Sequence, residues 1–129
     1  IDLYSTNPKI VRMDMENMTF QESTFDAVVM SNTLAYASDT FKCLSGIYRV
    51  LRPGGRLVFG ATYDPGDTRW AGSGIGGSEM LSMLRKLGFE LYYYHPTDKI
   101  NSLNRQQTSH LFGCYKPDPS TPGFDRIRW

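Results

Sequence analysis

The sequence has little cysteine, no long apolar run and almost no net charge. Its 129 residues contain two cysteines, and 14 basic residues offset 13 acidic ones, which leaves a formal net charge of +1. Two widely separated cysteines cannot supply the paired ligands of a zinc site. A balanced charge gives no electrostatic preference for nucleic acid or anionic lipid. No run of about eighteen apolar residues predicts a membrane-spanning helix. We therefore expect no metal, no nucleic-acid partner and no membrane partner.

Several catalytic signatures are also missing. The chain has no G-x-S-x-G string of the hydrolases and no P-loop string. Its glycine cluster at residues 72–77 lies late in the chain, whereas the dinucleotide-binding fingerprint follows a first strand. A nucleotide-binding oxidoreductase is therefore the least favoured reading. His95 and His110 have no third partner with which to hold a metal, and we predict both to be structural histidines.

What the chain does contain is a β-α-β unit between residues 25 and 61. The run Ala27 to Met30 is apolar without alternation, which predicts a strand buried on both faces. Ser38 and Asp39 are candidate N-caps of a helix, and Pro53 with the two following glycines predicts its end and a turn. A second buried strand follows at residues 57–59. Such a crossover makes the two strands parallel and places the helix on one face.

The flanking segments predict further elements. Short strands are expected at residues 1–3 and 9–13, a loop at 63–77, a strand at 89–94, a polar loop at 96–107 and a last strand at 109–115. Between them, Ser78 is a candidate N-cap and Gly88 a candidate C′ residue of a second helix. Cys43 and Cys114 fall in predicted apolar elements, so we expect two buried free thiols and a reducing cytoplasm rather than a disulfide.

Three strings carry a resemblance to a known family. Residues 13–20 (MDMENMTF), 23–26 (STFD) and 49–57 (RVLRPGGRL) occur in an order and spacing that resemble the central part of a class I S-adenosylmethionine-dependent methyltransferase. The resemblance implies an α/β, Rossmann-like sheet that is mostly parallel with an antiparallel last strand. The family's first strand, its glycine-rich turn and its N-terminal helices have no counterpart. We therefore expect residues 1–115 to be the C-terminal two-thirds of such a domain and residues 116–129 to be a proline-rich tail.

The resemblance also implies a cofactor site for S-adenosylmethionine. Asp2 would accept the ribose hydroxyls, although a plain turn carboxylate is an equal reading. Asp14 would accept from the adenine amino group and the Met15 N–H would meet a ring nitrogen, the alternative being an Asp that only caps a turn. Phe20 packs on the adenine edge or anchors its loop. The remaining candidates, which line the sulfur side or simply end a strand, are Ser31 and Asn32.

The acceptor side is less well defined by the sequence. Tyr36 stands where relatives have a histidine, and because a phenol is a poor base at neutral pH we predict a pocket wall there and no catalytic residue. Tyr63, Arg69 and Trp70 in the glycine-rich loop are candidate substrate contacts. No string typical of nucleic-acid base methyltransferases occurs, which favours a small-molecule acceptor.

The count of helices has a consequence for the sheet. The two predicted helices follow neighbouring strands and should lie on the same face. The other face must then be covered by a segment outside the sequence or by a second copy of the chain. Two functions are open: a methyltransferase, or a methyltransferase-like binding or oligomerisation module that has lost the cofactor.

Overall fold

A computed structural model of the chain describes residues 1–67, 71–100, 103–104 and 106–120. Among these residues the elements are β1 (Phe25–Ser31), α1 (Thr40–Val50), β2 (Leu51–Tyr63), α2 (Gly77–Leu87), β3 (Glu90–Ile100) and β4 (Gln106–Tyr115). Short 3-10 helices occupy Leu34–Tyr36 and Ala71–Gly74.

The four strands form one mixed sheet in the order β1-β2-β4-β3. β1 and β2 are parallel, with Val28 opposite Leu57. β4 is antiparallel to both of its neighbours, so β3 runs in the same direction as β2. The predicted α/β sheet, mostly parallel with an antiparallel last strand, is confirmed.

The N-cap of α1 is Asp39, one of the two candidates from the sequence. The Asp39 carboxylate accepts a hydrogen bond from the Lys42 backbone N–H at 2.9 Å, which satisfies one of the free donors at the helix start. The helix ends at Val50, earlier than Pro53, because Leu51 already has an extended backbone. Gly54 then takes a positive φ of 82° in the turn between the predicted elements, a conformation that glycine adopts without strain.

The predicted start of α2 at Ser78 is wrong, whereas its end is right. The N-cap is Gly76, and Ser78 lies within the helix. A Cβ at Gly77 would stand 2.4 Å from the Tyr94 hydroxyl, so the helix start packs against the sheet too closely for a side chain. At the other end Gly88 is the left-handed C-cap with φ 101°, and its N–H bonds to the carbonyls of the last turn, as expected for glycine there.

The core lies between the two helices and one face of the sheet. Phe59 and Phe112 are fully buried with their rings stacked at 4.7 Å. Both helices contribute to the same cluster, which confirms that they cover the same face; its other members include Leu44, Ile47, Leu57, Met80, Leu84 and Cys114. Cys43 and Cys114 are buried and free. Burial raises the pKa of each thiol to about 12, so both stay protonated and unreactive.

None of the described helices or strands covers the opposite face of the sheet, which we call the open face. Val29 is paired with Val58, and Leu111 with Gly60, which places these residues on the face away from the helices. Val29 is 76% exposed and Leu111 41% exposed. Within the described residues no element packs on this side, so burial of the 27–30 run on both faces depends on the covering segment or second copy and stays a prediction.

Three other predicted segments differ from the structure. The strands expected at 1–3 and 9–13 are reduced to one parallel bridge between Asp2 and Arg12, because the Asp2 carboxylate turns the chain immediately afterwards. The loop expected at 96–107 is largely strand, since β3 continues to Ile100 and the Thr108 hydroxyl donates across to Asp98 at 2.7 Å. The loop at 63–77 begins one residue later than predicted and contains the second 3-10 helix.

The first residue of the proposed tail, Lys116, is hydrogen-bonded to the end of α1 and the start of β2. The Lys116 backbone N–H donates to the Gly55 carbonyl at 2.9 Å, and its ammonium donates to the carbonyls of Tyr48 and Leu51 at 2.9 and 3.0 Å. Residues 121–129 lie outside the described part, so the boundary at 115 stays a prediction. In the part of the chain that is described, no helix is long and apolar enough to cross a membrane.

Candidate cofactor and acceptor site

A cavity of about 810 Å³ lies between the N-terminal segment and β1. Its volume is in the range of small-molecule and cofactor sites. It brings together residues from distant parts of the chain that the sequence singles out, namely Asp2, Met15, Phe20, Ser31 and Tyr36. The remainder of its wall is mostly apolar.

Asp2 keeps one carboxylate oxygen available. Its Oδ1 accepts from the backbone N–H groups of Tyr4 at 2.7 Å and Ser5 at 2.8 Å. The described residues supply no partner for Oδ2. Asp2 is therefore a turn carboxylate and also presents an acceptor at the cavity rim, so both readings of this residue are compatible with its geometry.

Asp14 is occupied by local contacts. One of its oxygens accepts from the Glu16 backbone N–H at 2.9 Å and the other from the Asn17 side-chain amide at 3.0 Å. These two hydrogen bonds lower the pKa of Asp14. Its neighbours Met13 and Met15 line the cavity, but Asp14 does not. The turn-capping alternative is thus present in the structure, and the adenine contact stays a prediction.

Phe20 is held against the wall of the cavity. Its ring meets the ring of Phe25 edge-on at 4.9 Å. The Arg49 guanidinium of α1 donates to the carbonyls of Phe20 at 2.8 Å and Met18 at 3.0 Å. Phe20 is therefore a loop anchor that also lines the cavity.

Ser31 and Asn32 lie where β1 ends. Asn32 has a positive φ of 52° and its N–H donates to the Gly60 carbonyl at 3.1 Å. Asparagine tolerates this left-handed conformation better than most residues. Both residues also line a second cavity of about 440 Å³, together with His95 and Leu111. Ser31 borders both cavities, so the two adjoin at the end of this strand.

The predicted acceptor contacts are only partly assembled. Tyr36 is exposed and lines the larger cavity. Tyr63 lines neither cavity, and its ring lies beside Gly76. Arg69 and Trp70 lie outside the described residues.

Sequence reasoning missed the residues that fix the loop around Asp14. The Glu16 carboxylate accepts from the backbone N–H groups of Ser38 and Asp39, and the Lys42 ammonium donates to Asn17 Oδ1 at 2.9 Å. The sequence pointed to Glu16 only through its position, directly after the candidate site residues Asp14 and Met15.

His110 packs inside the fold, as a structural histidine. It is 7% exposed, and its Nδ1 lies 2.9 Å from the Tyr94 hydroxyl. Its Nε2 is buried and has no hydrogen-bond partner among the residues that the structure describes. Burial lowers the pKa of His110, and the Asp98 carboxylate opposes this shift only in part.

We expect His110 to make stability depend on pH. The pKa of His110 is lower in the folded than in the unfolded chain. The stability that neutral His110 contributes is therefore fully present above the ordinary imidazole pKa of about 6.5, and it is lost as the pH falls from there through the lower pKa of the folded chain. Urea unfolding between pH 5 and pH 8 measures the slope. His110→Gln should flatten that slope. Equal slopes in His110→Gln and the unaltered chain would contradict the assignment.

Comparison with known proteins adds to this geometry. A family described as "Methyltransferase domain" matches residues 2–59. The ubiquinone/menaquinone biosynthesis C-methyltransferase UbiE of Haemophilus ducreyi is 44% identical over 52 residues, which are 40% of this chain and 20% of that protein. The UbiE of a Marinomonas species is 40% identical over the same length. The matched segment thus spans about a fifth of these curated relatives.

Solved structures resemble a larger part of the chain. A putative methyltransferase from Bacillus halodurans superimposes with a TM-score of 0.68 at 18% identity, over 83% of this chain and 71% of that one. The [4+2]-cyclase SpnF gives 0.66 at 19% identity, over 83% and 55%. Phosphoethanolamine N-methyltransferase 2 of Haemonchus contortus, in complex with S-adenosyl-L-methionine, gives 0.66 at 14% identity, over 81% and 36%.

The fold is therefore the Rossmann-like fold of S-adenosylmethionine-dependent methyltransferases. The sequence match adds that residues 2–59 resemble a methyltransferase domain, including the UbiE proteins that are named as C-methyltransferases. The resemblance that the three sequence strings carry is confirmed.

Proposed function

We propose that this chain forms the adenosine side of a methyl-donor site and takes part in S-adenosylmethionine-dependent methyl transfer to a small molecule. The observation that carries the proposal is the cavity that joins Asp2, Met15, Phe20, Ser31 and Tyr36. The second oxygen of Asp2 fits a ribose hydroxyl, since a carboxylate at this edge accepts hydrogen bonds from a diol. The apolar wall around Met15 and Phe20 fits an adenine ring.

The chemistry asks little of the protein beyond alignment. The methyl group moves from the sulfonium sulfur to a nucleophilic atom of the acceptor, the bonding pair returns to sulfur, and the acceptor loses a proton to solvent. Holding the reactants in line can supply roughly 7–11 kcal/mol of the barrier. Tyr36 serves as a wall of the acceptor pocket, because a phenol is a poor proton acceptor at neutral pH.

The acceptor we propose is a small, largely apolar molecule. The cavity is lined by Ile10, Val11 and Val29 next to the polar end of β1. The two UbiE proteins, which are named for C-methylation in ubiquinone and menaquinone biosynthesis, support an acceptor of this kind. The two buried thiols support a reducing cytoplasm as the location.

Calorimetric titration with S-adenosylhomocysteine tests the proposal. We expect binding heat from residues 1–129 and tighter binding from a form extended upstream, because the glycine-rich turn of the family has no counterpart in this sequence. A folded protein that gives no heat at about 1 mM ligand, a concentration that detects a binding free energy of about −4 kcal/mol, would contradict it. Circular dichroism on the same samples establishes that they are folded.

A second candidate function is favoured by the exposed apolar surface. Val29 and Leu111 stand on the open face, and β1 is an edge strand. The Asn32 N–H points toward β2, so alternation turns the N–H and C=O groups of Ala27 and Val29 away from β2. They face an edge where the described residues supply no neighbouring strand. Free edges and apolar faces are surfaces for association. We propose that a second copy or an upstream segment covers them, which would make the chain a binding or oligomerisation module.

Sedimentation of the free chain separates the two candidates. An oligomer that dissociates in Leu111→Lys, a variant on the open face but outside the larger cavity, and that binds no S-adenosylhomocysteine even as the unaltered chain would favour the module. A monomer that binds the ligand would favour the methyltransferase.

A further inference from the structure

Glu16 lies in the loop beside the cavity, and its carboxylate does not line the proposed site but bonds a second loop. Glu16 accepts two hydrogen bonds from consecutive backbone N–H groups, from Ser38 at 3.0 Å and from Asp39 at 2.9 Å. These partners lie 22 and 23 residues further along the chain. We call this contact, made by Glu16, Ser38 and Asp39, the Glu16 clamp.

The clamp joins the two loops that border the cavity. Glu16 directly follows Met15, and its own N–H donates to Asp14. Ser38 follows the 3-10 helix Leu34–Tyr36, which ends in the proposed pocket wall. Met15 and Tyr36 both line the cavity. The clamp is therefore the short connection between the adenosine side and the acceptor side.

Local chemistry explains why a carboxylate occupies this position. The N–H groups at and before a helix N-cap have no partner within the helix, and Ser38 and Asp39 stand at that point before α1. A negative charge is stabilised at a helix N-terminus by the helix dipole. Each bond to a charged acceptor is stronger than a neutral hydrogen bond.

A second hydrogen bond, between Lys42 and Asn17, also holds the loop from Asp14 to Asn17 against the start of α1. Asn17 accepts from the Lys42 ammonium, and the Lys42 backbone N–H donates to the Asp39 cap. The loop from Asp14 to Asn17 is therefore tied to the first turn of α1 through both a carboxylate and an amide. Because two ties act at one helix end, a shift of α1 would carry Met15 with it.

We propose that Glu16 is a positioning residue, which holds Met15 at a fixed distance from Tyr36 and so sets the register between methyl donor and acceptor. The inference rests on the proposed methyltransferase site. Glu16 does not line the cavity, so it acts through its neighbours and not by touching a ligand.

Glu16→Gln is the informative variant. It keeps the length of the side chain but replaces one accepting oxygen with an N–H₂ group that faces a backbone donor. Hydrogen exchange of the Ser38 and Asp39 amides, followed by NMR, should show protection in the unaltered chain and its loss in Glu16→Gln. The affinities for S-adenosylhomocysteine and for adenosine should both fall about tenfold, which corresponds to about 1.4 kcal/mol. Glu16→Asp keeps the charge with a shorter reach and should fall between the two.

Lys116→Met is the matched control for a purely structural effect. Its ammonium bonds the carbonyls of Tyr48 and Leu51 at the other end of α1, and Lys116 does not line the cavity. This variant should lose stability without losing affinity at a temperature where all the proteins are folded.

The results distinguish a failure of the positioning role from a failure of the proposed function. Amides that remain protected in Glu16→Gln, or affinity that is unchanged when protection is lost, would overturn the positioning role while leaving the proposed function intact. An unaltered chain, and a form extended upstream, that both fail to bind S-adenosylhomocysteine would overturn the proposed function and the positioning role together.

Discussion

Replacing Phe112 with alanine is expected to destabilise the chain by about 3–5 kcal/mol, the cost of removing a large aromatic side chain from a packed core. Phe112 is fully buried in the central strand β4. Its ring stacks on Phe59 at 4.7 Å and meets Tyr94 at 5.0 Å. Single domains have a net stability of about 5–15 kcal/mol, so this loss would remove a large share of the stability, and nearly all of it at the lower end of that range. Urea unfolding followed by circular dichroism measures it.

The neighbouring residue on β4 provides the control. Leu111 precedes Phe112 but lies on the open face, where it is 41% exposed. Leu111→Ala should therefore change the free energy of unfolding by no more than about 0.5 kcal/mol, as is usual for surface positions. Equal losses in the two variants would mean that the open face is covered in solution.

Replacing Asp2 with asparagine is expected to weaken the binding of S-adenosylhomocysteine by about 10- to 100-fold. Hydrogen bonds to a charged group contribute about 1.5–3 kcal/mol, and the variant loses the charge that we propose for the ribose hydroxyls. The asparagine Oδ1 can still accept from the N–H groups of Tyr4 and Ser5, which now bond the Asp2 Oδ1. The turn should therefore survive, and calorimetric titration would report the lost ligand contact alone.

Asp26→Asn is the matched control for Asp2→Asn. Asp26 also stands in a polar, exposed place, where it forms an ion pair with Arg52, and it does not line the cavity. Exposed ion pairs contribute little to stability, so both folding and affinity should be preserved. If the two variants bind equally well, Asp2 is a turn carboxylate and no more.

The parts of the fold that local chemistry determines could be predicted. Asp39 caps α1 through its own side chain, and Gly88 ends α2 in a left-handed conformation, because each depends on neighbouring backbone alone. The start of α2 could not be predicted, because Gly77 is required there by its close contact with Tyr94 of β3, a residue distant in the sequence. The extent to which Val29 is exposed could not be predicted from its strand either, because burial depends on what packs against a strand and not on the strand itself.

The candidate site likewise contains residues that the sequence could identify and residues that it could not. The family resemblance identified Asp2, Met15, Phe20, Ser31 and Tyr36, and these residues do line one cavity. Glu16 escaped notice because its partners are backbone groups more than twenty residues away, which no side-chain pattern reveals. Asp14 was assigned an adenine contact from its place in a motif; its oxygens accept hydrogen bonds within its own turn, and the adenine contact stays a prediction.

The strand order has a consequence for how the protein is made. β4 follows β3 in the sequence but lies between β2 and β3 in the sheet of described strands, so a nascent chain that has left the ribosome as far as Ile100 holds β3 without the strand it pairs with. The sheet can only be completed when β4 arrives and fills its centre. Long-range pairing of this kind is slow and leaves aggregation-prone edges exposed meanwhile. The tyrosine-rich β3 is the segment that a chaperone would be expected to shield during synthesis.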